Sequence, residues 1–294
     1  MIDMISQIPY LKIKVTMKTF QNGAILPQWL GSAIRGALGA KLLEKCCVYP
    51  EYECQICDDR CSAGILFGTS SSEKSEETIS PYIVNCEKDV FDGESIYFYI
   101  TLFAEGTDTF YDVADVLMSG LELGADRVPF FLTKVTDALT GREFFNGSEV
   151  IRPELNNIEC LKYENVNRIM VEFITPYKTK IKLNDFGFEQ LIRAVFRRLS
   201  TLIKQSGGEI NFDFKLMIEK SKKINMRYKD VQIEKVRRYS NRSEMSMNLT
   251  CFTGMMVFEG ELDEFVPYLK AVEVLNCGKM CVMGFGEIKV SFLK

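Results

Sequence analysis

A glycine-rich stretch near the C-terminal end of the sequence contains residue types that could bind a phosphate. It reads Asn276-Cys-Gly-Lys-Met-Cys-Val-Met-Gly-Phe-Gly286, and Lys279 lies among its glycines Gly278, Gly284 and Gly286. Glycine lets backbone N–H groups approach a phosphate closely and tolerates positive φ. A tight turn before a terminal strand favours the same residues. The stretch therefore predicts either an anion-binding loop or a turn.

The charge distribution favours an anion-binding loop, because basic residues concentrate in the same half of the chain. Residues 1–150 contain 12 Lys/Arg and 22 Asp/Glu, whereas residues 151–294 contain 24 and 18. Between Arg193 and Arg242 the count is 14 basic to 5 acidic residues. A local basic stripe in a chain of net charge −4 predicts a polyanion-binding surface, with a solvated helix face as the alternative. Three arginines are candidate phosphate contacts: Arg237, Arg238 and Arg242.

The sequence contains no histidine. This excludes a histidine-assisted serine or cysteine nucleophile and any histidine-ligated metal. An enzyme with this sequence must move protons near neutral pH with Lys, Tyr, Cys or a carboxylate, or with no side chain at all.

A cysteine cluster follows the first predicted helix. Cys47, Cys54, Cys57 and Cys61 have the spacing Cys-x6-Cys-x2-Cys-x3-Cys, and Cys46 could replace Cys47. Four thiolates within fifteen residues match a closed tetrahedral zinc site, in which the metal stabilises the fold and has no open position for catalysis. Free thiols in a loop are the alternative. We expect a structural zinc here and no catalytic metal.

Composition indicates a globular protein of the cytoplasm. No apolar run approaches the ~20 residues that a membrane span needs. The first ten residues lack a basic start followed by an apolar core, so we expect no signal peptide. The ten cysteines then favour a reducing compartment, where they more often bind metal than form disulfides.

Hydrophobic periodicity predicts the elements that must position these residues. Residues 1–150 read as strand, helix, strand, strand, helix, strand. Arg35 lies among small residues on the first helix, where either a ligand or another backbone could approach. Residues 151–294 repeat this order, with a strong amphipathic helix ending near Gln205 and the glycine-rich stretch (276–286) before the last strand.

Two successive βαββαβ units predict an α+β protein made of two tandem ferredoxin-like (RRM-like) domains. We place the N-terminal domain at residues 1–150, with a cysteine-rich insertion over residues 46–67. The C-terminal domain then covers residues 151–294.

Several local patterns, in this order, resemble the RAMP-superfamily CRISPR repeat-processing endoribonucleases. One is the helix Ser32-Ala-Ile-Arg-Gly-Ala-Leu-Gly39, followed by the cysteine cluster and Ala63-Gly-Ile-Leu-Phe67. The others are Arg238-Tyr-Ser-Asn-Arg242, Phe252-Thr-Gly254, Glu259-Gly-Glu-Leu262 and the glycine-rich stretch, which is similar to the hallmark motif of that family.

The resemblance implies a protein of antiviral defence that binds CRISPR repeat RNA and cuts it once per repeat, without metal, to make guide RNAs. It also implies association with the guide RNA and with other CRISPR effector subunits. Family members commonly use a histidine near Asn276 or elsewhere, and this chain has none. The endonuclease activity is therefore expected to be weak or absent.

Metal-free RNA cleavage by the neighbouring 2′-OH needs in-line positioning and stabilisation of charge on the phosphorane. Lys279 could stabilise the nonbridging oxygens or act as an acid, Tyr239 could act as an acid or orient the substrate, and Asn276 could hold the scissile nucleotide. Arg35 and the three glycines are expected to contact RNA with the arginines. Two alternatives are a non-catalytic RNA-binding subunit of an interference complex and a zinc-stabilised interaction protein unrelated to RNA.

Overall fold

A computed structural model describes residues 1–48, 61–68, 78–240 and 245–293, and for residues 238–240 and 245–247 it describes the backbone alone. The chain divides into two compact units. One unit is Pro9–Asn156, and the other combines Met1–Ile8 with Asn157–Lys294. Compared with the expected division at residue 150, the observed one lies six residues later, and the first eight residues join the C-terminal unit.

The N-terminal unit is a mixed α+β fold around one antiparallel sheet. Its strands lie side by side in the order β2-β3-β1-β5-β4, which places the first and third of the expected four strands in the middle. A 3₁₀ turn over Ala104–Thr109 leads into α4. The elements are β1 (Pro9–Lys18), α2 (Gly31–Cys46), α3 (Ser62–Phe67), β2 (Tyr82–Asn85), β3 (Ser95–Phe103), α4 (Phe110–Met118), β4 (Leu121–Leu123) and β5 (Val128–Asp137).

The C-terminal unit has the same arrangement, with sheet order β10-β7-β9-β8. All three strand pairings in it are antiparallel. A two-residue strand, β6 (Asn156–Asn157), lies at the boundary between the units. The elements are α1 (Ile2–Ile5), β7 (Arg168–Tyr177), α5 (Phe188–Gln205), α6 (Phe214–Ser221), β8 (Asn225–Ser240), β9 (Met245–Glu259), α7 (Val266–Leu275) and β10 (Ile288–Phe292).

The residue pattern explains why these segments form one-sided layers. On β1, Leu11, Ile13, Val15 and Met17 are fully buried, while the residues between them are partly exposed. Helix α5 buries one stripe at helical spacing. That stripe consists of Phe188, Leu191, Ile192, Val195, Phe196, Leu199, Leu202 and Ile203. The prediction of two tandem ferredoxin-like units is confirmed.

Some elements were not predicted. Helix α6 follows Gly207-Gly208 and has no counterpart in the predicted βαββαβ order, and Asp213 caps it by accepting the N–H of Leu216 at 2.8 Å. The second helix of the N-terminal unit, α4, ends at Met118, because Gly120 has φ +83° and the chain turns there into the short strand β4. Within the described parts of the chain, no helix has the length and apolar character needed to cross a membrane.

Candidate RNA-binding site in the C-terminal unit

The glycine-rich loop connects α7 to β10 and is closed on itself. The N–H of Cys277 donates to the carbonyl oxygen of Gly286 at 2.9 Å. Beside this bond, the side-chain Nδ2 of Asn276 donates to the carbonyl oxygen of Phe285 at 3.0 Å. Asn276 is 1% exposed, so its amide holds the two ends of the loop together from the inside. Its predicted role in holding a nucleotide is untested, and its placement gives it a structural role.

The three glycines have left-handed backbone conformations, with φ of +97° at Gly278, +82° at Gly284 and +73° at Gly286. A Cβ atom at Gly286 would lie 1.8 Å from the carbonyl oxygen of Cys277. A Cβ atom at Gly278 would lie 3.1 Å from the carbonyl oxygen of Lys178. Close contacts within the unit therefore explain why Gly278 and Gly286 are glycines. Direct contact of the three glycines with RNA stays a prediction.

Lys279 lies next to a second lysine that sequence reasoning missed. The backbone N–H of Lys279 donates to the carbonyl oxygen of Lys178 at 3.0 Å, and the two residues form an isolated β-bridge. The Nζ of Lys178 donates to the carbonyl oxygen of Thr250 on β9 at 3.0 Å, and Thr250 lies opposite Lys235 on β8. Lys178 thus links the glycine-rich loop to β9, close to a further lysine, Lys235, on β8. The sequence signal was Lys178-Thr-Lys-Ile-Lys182, an alternating basic run.

A cluster of four aromatic side chains packs next to the glycine-rich loop at Gly278. Neighbouring ring centroids of Phe173, Tyr177, Phe186 and Phe252 lie 4.9 to 6.2 Å apart. The ring of Tyr177 also lies 3.2 Å from the place a Cβ atom of Gly278 would take. Because close packing resists displacement, this cluster gives the loop a rigid base.

The two cysteines of the loop are buried and unsuited to nucleophilic chemistry. Burial raises the pKa of the Cys277 thiol well above its usual value, and burial is also the main cause of the raised pKa of Cys281. Since the thiolate is the reactive form, both residues are inert thiols at neutral pH.

The arginine stretch lies on the long hairpin formed by β8 and β9. Backbone pairing places Arg237 opposite Asn248 and Arg238 opposite Met247. The side chain of Arg237 is exposed. The side chains of Arg238 and Tyr239 and the whole of Arg242 lie outside the described residues, so their predicted roles are untested.

Arg35 belongs to the N-terminal unit and contacts an aromatic pair there. Its guanidinium lies 5.3 Å from the centre of the Phe67 ring, and Phe67 packs against Tyr82 at 5.0 Å. Burial raises the pKa of Tyr82 well above its usual value, against the opposing effect of nearby Arg35. A Cβ atom at Gly39 would lie 2.9 Å from the Phe67 ring, so packing explains that small residue. Arg35 is partly exposed, and its contact with RNA stays a prediction.

Of the predicted zinc ligands, Cys47 and Cys61 are described and Cys54 and Cys57 lie outside the described residues. The Sγ of Cys61 accepts the N–H of Gly64 at 3.3 Å and so caps α3. Among the residues that the structure describes, no three His, Cys, Asp or Glu side chains are grouped to hold a metal. The zinc site, including the choice between Cys46 and Cys47, stays a prediction.

Comparison with protein families matches both halves of the chain. Residues 8–159 match the family AF_1859_N, described as an N-terminal domain. Residues 171–288 match the family described as CRISPR-associated endoribonuclease Cas6. An uncharacterized protein of Archaeoglobus fulgidus is 27% identical over 199 residues, which cover 63% of this chain and 67% of that protein.

Solved structures share the fold over nearly the whole chain. The Cas6 of Thermus thermophilus has a TM-score of 0.57 and 12% identity, covering 97% of this chain and 99% of that one. A Cas6 product complex has a TM-score of 0.58 and 14% identity, with coverage of 96% and 100%. A chain of a partial Cas6-RT-Cas1–Cas2 complex has a TM-score of 0.58 and 10% identity, with coverage of 98% and 47%.

Proposed function

Because the chain belongs to the AF_1859_N family (residues 8–159) and to the CRISPR-associated endoribonuclease Cas6 family (residues 171–288), we propose that it binds CRISPR repeat RNA and cleaves it. The Cas6 family is part of the RAMP superfamily. The family match over residues 171–288 is the observation that carries the proposal, because it includes the glycine-rich loop. The products are guide RNAs, and other CRISPR effector subunits are the expected partners.

Cleavage proceeds by attack of the 2′-oxygen on the adjacent phosphorus. A bond forms between phosphorus and the 2′-oxygen, and the bond to the 5′-oxygen of the next nucleotide breaks. The 2′-OH loses its proton, and the leaving 5′-oxygen gains one. The products are a 2′,3′-cyclic phosphate and a 5′-OH, and no metal is needed to generate the nucleophile.

Lys279 is the group we assign to charge stabilisation. It lies on a loop whose ends are tied by Asn276 and whose backbone is paired to Lys178. Preorganised charge of this kind is often the largest single contribution to a rate enhancement. Arg237, Arg238 and Arg242 bind the RNA backbone, and Tyr239 is the candidate acid or orienting group.

A second candidate function is favoured by a specific observation, the absence of histidine from the whole sequence. With no side chain whose ordinary pKa is near neutrality, proton transfer is slow, and the chain could act as a non-catalytic RNA-binding subunit. Both functions require RNA binding. They differ only in whether the bound RNA is cut.

The deciding experiment incubates the protein with the repeat RNA of its own organism in the presence of EDTA. We expect slow cleavage at one position, and loss of cleavage with retained binding when the nucleotide before the cut is 2′-deoxy. Cutting of the deoxy substrate, or a requirement for magnesium, contradicts the 2′-OH mechanism. Binding without cutting of either RNA supports the non-catalytic subunit.

A further inference from the structure

Along β1 of the N-terminal unit, lysines alternate with buried core residues. Lys12 and Lys14 lie on β1 between the buried Leu11, Ile13 and Val15. Because side chains alternate along a strand, the two lysines lie on the sheet face opposite these core residues.

Two tyrosines of β3 lie on this same face. In the β1–β3 register, Lys14 is opposite Tyr99, and Thr16 is opposite Tyr97. Tyr97 and Tyr99 are partly exposed, and so are both lysines. Directly paired residues of neighbouring antiparallel strands share a face. We call Lys12, Lys14, Tyr97 and Tyr99 the Lys–Tyr face.

The ammonium groups lie directly over the rings. The Nζ of Lys14 is 4.2 Å from the centre of the Tyr97 ring and 5.7 Å from that of Tyr99. The Nζ of Lys12 is 5.4 Å from the centre of the Tyr99 ring. The two rings are 6.3 Å apart and nearly perpendicular, at 86°. Exposed contacts between a cation and a ring are weak, so a ligand can displace the lysines without displacing the rings.

Three acidic residues of the N-terminal unit each contact a tyrosine or another lysine. The hydroxyl of Tyr97 donates to Glu87 Oε2 at 2.7 Å, which orients the ring. This bond is the main reason why the pKa of Tyr97 is raised to about 12, and the ring is therefore neutral at physiological pH. Glu94 lies 3.7 Å from Lys18, and Glu143 lies 3.5 Å from Lys134.

We propose that the Lys–Tyr face binds single-stranded RNA, with bases stacked on Tyr97 and Tyr99 and phosphates contacted by Lys12 and Lys14. This inference rests on the proposed function, in which the chain binds repeat RNA. Aromatic side chains on a sheet face stack bases regardless of sequence, while neighbouring cations follow the phosphate backbone. The N-terminal unit thus contributes a second RNA contact, outside the glycine-rich loop and the arginine stretch.

Charge complementarity alone would also suit an acidic protein segment. Such a segment would need the lysines and would leave the two partly exposed rings without a specific role. A nucleic acid uses both features, because each nucleotide offers one phosphate and one ring face. The pairing of cations with rings on adjacent strands therefore favours RNA.

The test measures binding of a fluorescein-labelled oligouridine of about 12 nucleotides by anisotropy across a salt series. The double variant Tyr97→Leu/Tyr99→Leu should weaken binding roughly tenfold or more, the range expected for loss of one or two stacked bases. The double variant Lys12→Gln/Lys14→Gln should reduce the salt slope by about 0.7 per lost phosphate contact. Tyr111→Leu, at an exposed position of α4, and Lys41→Gln on α2 are matched controls that should change neither quantity.

The variant Tyr97→Phe/Tyr99→Phe retains both rings and should retain affinity for the oligouridine. Unchanged affinity and salt slope in both the leucine and the glutamine variants overturns the inference and leaves a protein segment as the occupant of the face. If those variants also bind and process repeat RNA normally, the proposed function stands without this surface. If the unaltered chain binds neither RNA, both proposals fail.

Discussion

The side-chain amide of Asn276 donates to the carbonyl oxygen of Phe285 at 3.0 Å, across the glycine-rich loop. The residue has φ +53° and is almost completely buried. Its ψ of +169° places it outside the left-handed helical region, in a conformation that residues with a Cβ atom rarely adopt. A buried side chain therefore holds the loop closed, at a residue whose own backbone conformation is unusual.

We expect Asn276→Ala to destabilise the protein. Loss of the amide leaves the buried carbonyl of Phe285 without this donor, which costs about 1–3 kcal/mol. Alanine keeps the backbone strain of about 1–3 kcal/mol that this φ and ψ impose on a residue with a Cβ atom, and glycine relieves it. Asn276→Gly should therefore be less destabilising than Asn276→Ala. The measurement is urea unfolding of the three proteins. Equal stability of the alanine variant and the original chain would refute a stabilising role for the Asn276 hydrogen bond.

We expect Gly286→Ala to be among the most destabilising substitutions in the loop. The new Cβ atom would lie 1.8 Å from the carbonyl oxygen of Cys277, so the backbone must move. Gly141 is a matched control, because its φ is +75° and a Cβ atom there meets nothing within 4 Å. Gly141→Ala should cost about 1 kcal/mol from its backbone conformation alone.

The comparison is made by thermal and urea unfolding of both alanine variants. A larger loss for Gly286→Ala, seen without RNA, means that the glycine is needed for the fold. If the two variants are equally stable and only Gly286→Ala weakens RNA binding, the glycine is needed for approach of the RNA, as the sequence suggested.

Periodicity was sufficient to predict the two βαββαβ units, because one-sided burial forces apolar residues into regular spacing in β1, β7 and α5. Capped short elements were harder to predict. Helix α6 has only eight residues, and its start depends on one side-chain hydrogen bond from the N–H of Leu216 to Asp213. Such a contact leaves little periodic signal.

The candidate site could be predicted only in part for a related reason. Lys279 stands out because it lies among glycines. Lys178 lies about a hundred residues away in sequence and is brought beside Lys279 by backbone pairing. Tyr97 and Tyr99 likewise read as ordinary strand residues until the register places them beside Lys12 and Lys14. Long-range pairing is not encoded in any one segment.

We expect about one zinc per chain, bound by Cys47, Cys54, Cys57 and Cys61. The metal should stabilise the N-terminal unit, since binding to a site absent from the unfolded chain adds to folding stability. Elemental analysis of protein purified without chelator tests this. Cys57→Ser should lose the zinc, and Cys160→Ser should retain it, because Cys160 lies outside the cysteine cluster. Far less than one equivalent in the unaltered chain would refute the site.

We expect Lys279→Ala to reduce cleavage of repeat RNA by roughly 10²–10³-fold, the range for removing one group that stabilises transition-state charge. Binding should weaken far less, because the neighbouring cations still contact the phosphates. Lys178→Ala is the matched control, since the two backbones are paired and the Nζ of Lys178 is already bonded to the carbonyl of Thr250. Single-turnover cleavage in EDTA and binding of the 2′-deoxy RNA separate the two effects. Equal loss of cleavage in both variants, or loss of binding that accounts for the whole decrease, would assign Lys279 to RNA binding alone.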